Sequence, residues 1–152
     1  MSDAPDHAAR RSRTPWHLWV VGVLAVLFNA IGVFDFVMSM AQGADYMASA
    51  GMTPEQIALY TNLPGWMIVV WAIGVFGAII ASFLLLARKR LAGPIFAVSL
   101  AAFVLNLIYI YVFADGDEVL GVSMAVTSAI IAALLAFFIW YANAMAARRV
   151  LN

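Results

Sequence analysis

Four apolar runs, at about 17–40, 66–87, 92–114 and 120–141, account for most of the chain, and short polar stretches separate them. Each run is near the roughly 20 residues that a helix needs to cross hydrocarbon. The alternation expected of a membrane β-barrel is missing. In lipid a lone segment must close its backbone hydrogen bonds within itself, so all four runs are predicted as helices. Gly93-Pro94 opens the third, where proline suits a first helical turn. The expected fold is therefore all-α: an integral membrane four-helix bundle over 16–149. A disordered cytoplasmic tail is expected ahead of it, over 1–15, "MSDAPDHAARRSRTP". The first run is longer than the roughly 7–15 residues of a signal-peptide core and carries Asn29 and Asp35, so cleavage is not expected.

The charges give this bundle a direction. Arg10, Arg11 and Arg13 precede the first run, Arg88, Lys89 and Arg90 lie between the second and third, and Arg148 and Arg149 follow the fourth. Those are all eight basic residues. The connections 41–65 and 115–119 contain none and hold Asp45, Glu55, Asp115, Asp117 and Glu118. Lys and Arg of short loops stay on the cytoplasmic side, so both termini are expected inside and both acidic loops outside. The chain is 66% hydrophobic and 11% charged, against roughly 45–50% and 25% for soluble domains, and lipid is the partner this implies. The formal net charge is zero, which speaks against nucleic acid. There is no Cys, and the two His, His7 and His17, precede or open the first run, so neither a thiolate metal site nor a bis-histidine haem is available. No metal, cofactor or catalytic constellation is expected, and the chain reads as a non-enzyme.

Two repeated hairpins are an open possibility. Arg13 to Asn29 and Arg90 to Asn106 are equally spaced, and "AIIA" occurs in both the second and fourth runs. A duplication about an axis along the membrane normal gives this pattern and puts Asn29 and Asn106 at similar depth. Each Asn reads either as interhelical glue or as part of a polar binding site. Gly22, Ala25, Asn29 and Gly32 form a small-residue stripe; Gly74, Ala78 and Ser82 form another, and Ala125, Ala129 and Ala133 a third. All three are expected to pack helices together, within the bundle or between protomers.

The candidate ligand-binding residues are Asp35, Tyr46, Tyr60, Trp66, Asn29 and Asn106. Asp35 is the only acid inside a run, and intramembrane ionisable groups are functional candidates by default. It stands nineteen residues past Trp16, roughly 28 Å along a helix, which sets it near the outer surface. Thr53-Pro54-Glu55-Gln56 predicts a capped short helix over 54–60 lying flat at the interface. Tyr46, Tyr60, Trp66 and Trp71 gather near that end, as an aromatic belt or as a lid over an outward pocket. Carboxylates beside aromatic faces suit a sugar or an organic cation. Met38, Met40, Met47, Met52, Met67 and Met124 cluster toward the same face; Met also serves as flexible packing, and no Cys or outer His supports a metal there.

The runs "TPWHLWVVGVLAVLFNAIGVFDF", "MTPEQIALYTNLPGWMIVVWAIGVFGAIIASFLLL" and "AGPIFAVSL", covering about 14–110, resemble a family of small bacterial four-helix membrane proteins. The most specific parts are Pro15-Trp16-His17, the Asn29/Asp35 pair, Thr53-Pro54-Glu55 and the Pro64/Trp66/Trp71 set. Some members carry a sugar-transporter label, so the resemblance implies the bacterial inner membrane and a small solute. The small multidrug-resistance transporters also have four helices, but their essential acid sits mid-membrane, whereas Asp35 is near the outer end. The expectation is a solute-binding or transport protein with an outward-facing site, working as a homodimer or larger oligomer. The alternative is a structural or accessory subunit of a larger membrane complex.

Overall fold

Gly43, Pro64, the 88–91 turn and Asp115 punctuate the chain where the pattern changes, and the computed structural model, which describes residues 13–152, turns the intervals into six helices. They are α1 (Trp16–Gln42), α2 (Ala44–Ser49), α3 (Pro54–Thr61), α4 (Gly65–Leu86), α5 (Ala92–Phe113) and α6 (Gly116–Ala147). There is no strand among the described residues. α1, α4, α5 and α6 are each long and apolar enough to cross a membrane. Of the expected N-terminal tail, 1–12 lies outside the described residues.

α1 packs on α4, α4 on α5 and α5 on α6, but α1 and α6 do not pack along their lengths. The main core therefore lies toward the basic end, around Leu18, Leu85, Phe96, Phe138 and Tyr141. A smaller cluster of Leu63, Met67, Ile110 and Leu120 lies toward the acidic end. Apart from Gly32, the first two small-residue stripes do the packing expected of them. Ala25, Ala78 and Ser82 are buried, and a Cβ at Gly22 would collide with the Leu86 side chain. The third does not pack within the chain, where Ala125, Ala129 and Ala133 are all exposed, which leaves the contact between protomers as its remaining reading.

The basic end is closed by hydrogen bonds as well as by apolar contact. His17 Nδ1 pairs with the Tyr141 hydroxyl, linking α1 to α6. The Arg88 guanidinium donates to the Thr14 hydroxyl at 2.8 Å. Past α6 the chain turns back beneath the bundle. Val150 and Leu151 are buried, Arg90 N–H donates to the Asn152 carbonyl at 2.9 Å, and Asn152 N–H donates to the Arg88 carbonyl at 2.6 Å. The basic turn thus serves as an anchoring edge for both flanking segments.

At the acidic end, α3 begins with the predicted capping box. Gln56 N–H donates to Thr53 Oγ1, and Thr53 N–H donates back to Gln56 Oε1 at 3.1 Å. Gln56 Nε2 also donates to the Val119 carbonyl at 3.3 Å, fastening α3 to the start of α6. Two features depart from expectation. α2 is an extra helix, made by the break at Gly43, whose φ of 55° is open to glycine. α6 starts at Gly116 inside the expected loop, but Gly121 interrupts it with φ 67° and ψ 179°, a region that is essentially glycine-only. Residues 116–120 are consequently a separate turn ahead of the long helix.

Candidate functional site

Asn29 ties α1 to α4 at the inner end of the open region. Its Nδ2 donates to the Ala25 carbonyl at 2.9 Å and to Ser82 Oγ at 3.0 Å. Ser82 in turn donates to the Ala78 carbonyl at 2.8 Å. One turn further along α1, a Cβ at Gly32 would meet nothing within 4 Å. The small-residue stripe has run out of partner, and a groove opens between α1 and α6. Its volume is about 450 Å³, within the usual range of ligand sites. α4 supplies the floor through Trp71, Gly74, Val75 and Ala78; Thr127, Ile130, Ile131 and Leu135 of α6 form the far wall.

Apart from Thr127 in the far wall, the polar side chains sit at the two ends of this groove. Asn29 is at the inner end, and Asp35 and Tyr46 are at the acidic end. Gly43 turns the chain so that α2 comes back beside α1, and the Tyr46 hydroxyl donates to Asp35 Oδ1 at 3.0 Å. Phe34 meets the Tyr46 ring edge to face at 6.3 Å. Desolvation, then the bond to Asp35 and its charge, hold the Tyr46 phenol above its ordinary pKa. Trp71 is held edge-on by Phe36 at 5.0 Å and touched by Tyr60 at 6.2 Å. Burial, reinforced by Tyr111 and Asp35, pushes the Tyr60 phenol up to about 12.

Of the six candidate residues, the structure brings Asn29, Asp35 and Tyr46 to one groove. Tyr60 touches the groove's Trp71 without lining the groove. Trp66 and Asn106 are elsewhere. Trp66 is 54% exposed and packs edge-on against Tyr109 at 5.4 Å. Asn106 is 9% exposed, and its Nδ2 has no hydrogen-bond partner. Thr127 lines the groove without having been singled out. Ser123 and Ser128 stand beside it in the sequence, and nothing in the pattern distinguishes the three.

Fold and groove together describe a small protein of four potentially membrane-crossing helices, with a mainly apolar groove that is polar at both ends. No family model, curated protein or solved structure matches the chain.

Proposed function

We propose that this is a non-enzymatic integral membrane protein that binds, and in an oligomer transports, a small sugar-like or cationic solute through an outward-facing site. The observation that carries this reading is the convergence of Asp35, Tyr46 and Asn29 on one groove. Asp35 recognises the solute, Tyr46 orients its carboxylate, and Asn29 lies below. The protein sits in a bacterial inner membrane, as its resemblance to small four-helix bacterial proteins suggests, with both termini cytoplasmic and the Asp35 end of the groove outside. The segregation of every basic residue to one end supports that orientation. Cysteines placed at the exposed Ser49 and Glu118 should react with an impermeant thiol reagent on intact cells, and one at Lys89 should not. The reverse pattern inverts the topology.

Binding is tested by thermal-shift screening of the purified chain against sugars and organic cations. A solute that stabilises the wild type but not Asp35→Asn supports the site; equal stabilisation of both removes it. A second reading, an accessory subunit of a membrane complex, is favoured by the exposed Ala125, Ala129 and Ala133 face of α6, which has the small-residue character of a helix-docking surface. Co-purification of the tagged chain with a stoichiometric membrane partner, and no solute binding, would select it.

A further inference from the structure

We infer that the groove takes a single-chain amphiphile with a positively charged head, admitted sideways from the lipid between α1 and α6. This deepens the proposed function and rests on its assignment of the groove as a binding site. Three observations lead to it.

The first is where the groove opens. α1 and α6 meet near the basic end, at His17–Tyr141 and at Phe28–Phe138, whose rings are 6.5 Å apart. Beyond that they do not pack, so the gap runs along the side of the bundle. Its lips are Ile31 and Phe34 on one helix and Ile130 on the other, all strongly exposed. A mouth edged by such residues, on helices that cross hydrocarbon, is open to acyl chains.

The second is what lines it. From Phe28 to Asp35 the groove follows α1 for roughly 10 Å at the helical rise. The floor at Val75 and Ala78 and the far wall at Ile131 and Leu135 are apolar; Thr127 adds one hydroxyl to that wall, and it donates to the Ser123 carbonyl at 3.0 Å. Water has few polar partners there, and such walls do not hold it. A flexible chain fits the interior better than a hydroxyl-rich solute, whose donors and acceptors would go unmet.

The third is the charge at the end. Asp35 is the one charged residue among the described groove lining, and its carboxylate is exposed. The connections at this end of the sequence contain no Lys or Arg. Tyr46 donates a neutral hydrogen bond and leaves the negative charge uncompensated. The Phe34 and Tyr46 rings beside it offer faces that attract a cation. Head and chain are thus selected at opposite ends of one groove.

The test uses the full chain in uncharged maltoside micelles. Three amphiphiles of equal chain length, brominated along the chain, are added at equal micellar mole fraction: an alkyltrimethylammonium, an alkyl sulfate and a neutral alkyl glycerol. The readout is quenching of Trp71 fluorescence, taken as the difference between the wild type and Trp71→Phe. The ammonium should quench Trp71 at a several-fold lower mole fraction than the other two. Asp35→Asn should bring it to the neutral level, while Asp35→Glu, which keeps the charge, should retain the preference and controls for misfolding. Equal quenching by all three probes overturns the inference. Tetramethylammonium stabilising the protein as well as the chain-bearing cation also overturns it, yet leaves the proposed solute site standing. If no cation or screened solute binds at all, both readings fall. Efficient cross-linking of Ile31→Cys in one copy to Ile130→Cys in another, with no probe quenching Trp71, would assign the groove to a neighbouring helix instead.

Discussion

The two ends of the bundle are built from the same helices and behave as opposites. Toward the basic end, α1 and α6 are joined by the His17–Tyr141 pair, the Phe96–Phe138 stack lies at 5.5 Å, and Val150 and Leu151 fill the base. Toward the acidic end, the same two helices part, and the space between them is left to a groove. Apolar sequence alone does not decide which outcome occurs, since both halves are rich in Phe, Ile and Val. What differs is closure. The basic end has backbone pairing and long side chains that reach across. The acidic end has a carboxylate, a phenol and small residues that end without a partner.

The largest expected effect breaks that comparison directly. Phe96 is fully buried, and truncating such a residue to Ala typically costs about 3–5 kcal/mol. Phe34, on the groove lip, is 58% exposed, and Phe34→Ala should change stability by no more than about 0.5 kcal/mol. Chemical denaturation in mixed micelles measures both; equal losses would mean that the open half is packed as tightly as the closed one.

Next in size is a pH effect specific to the acidic end. The Tyr60 phenol titrates near 12 in the folded chain, against about 10 when unfolded. The folded state therefore holds this proton more tightly. Its contribution is complete below pH 10 and is lost as pH rises from 10 toward 12, by an amount on the order of 2–3 kcal/mol. Tyr60→Phe should flatten that part of the stability profile, and an unchanged slope would show that Tyr60 is not held as described. Asn29→Leu comes third. It removes the bond to Ser82 at the boundary between the halves, at about 1 kcal/mol on the scale of intramembrane hydrogen bonds. A double-mutant cycle with Ser82→Ala isolates the coupling. Asp35→Asn should be the smallest: stability within about 0.5 kcal/mol of wild type, because the carboxylate is exposed, so that any loss of ligand binding reports on the ligand.

The four long helices were readable because lipid imposes length and polarity on each span, although α6 runs on to Ala147, past the expected end at 141, and α2 was not foreseen. α3 was readable because Thr53, Pro54 and Gln56 encode their own start. The parting of α1 from α6 was not. In lipid, helix pairing is decided by side-chain fit, and the alanines at 125, 129 and 133 look in sequence like the stripe at Gly74, Ala78 and Ser82, of which Ala78 and Ser82 are buried. The Asp35–Tyr46 contact depended on a positive φ at Gly43, which folds eleven residues into one corner. Trp66 and Trp71 were indistinguishable as outer aromatics, yet only Trp71 faces the groove. Asn106 matched Asn29 in spacing. In the second "AIIA" segment, however, Ala133 stands where Ser82 follows the first, so the pattern offered Asn106 no equivalent hydroxyl.

The segregation of charge along the helix ends reaches beyond the protein into its lipid. The chain is neutral overall, yet six acids lie at or beside one end of the spans, while all eight basic residues and only two acids fall at the other. Basic residues close to an anionic membrane surface gain about 1 kcal/mol each, over a range limited by salt screening. In a bilayer the basic end would therefore gather anionic lipid around itself, and the acidic end would thin it out. The two leaflets touching a single molecule would differ in composition, with the annulus poorest in anionic lipid lying at the groove end beside Asp35.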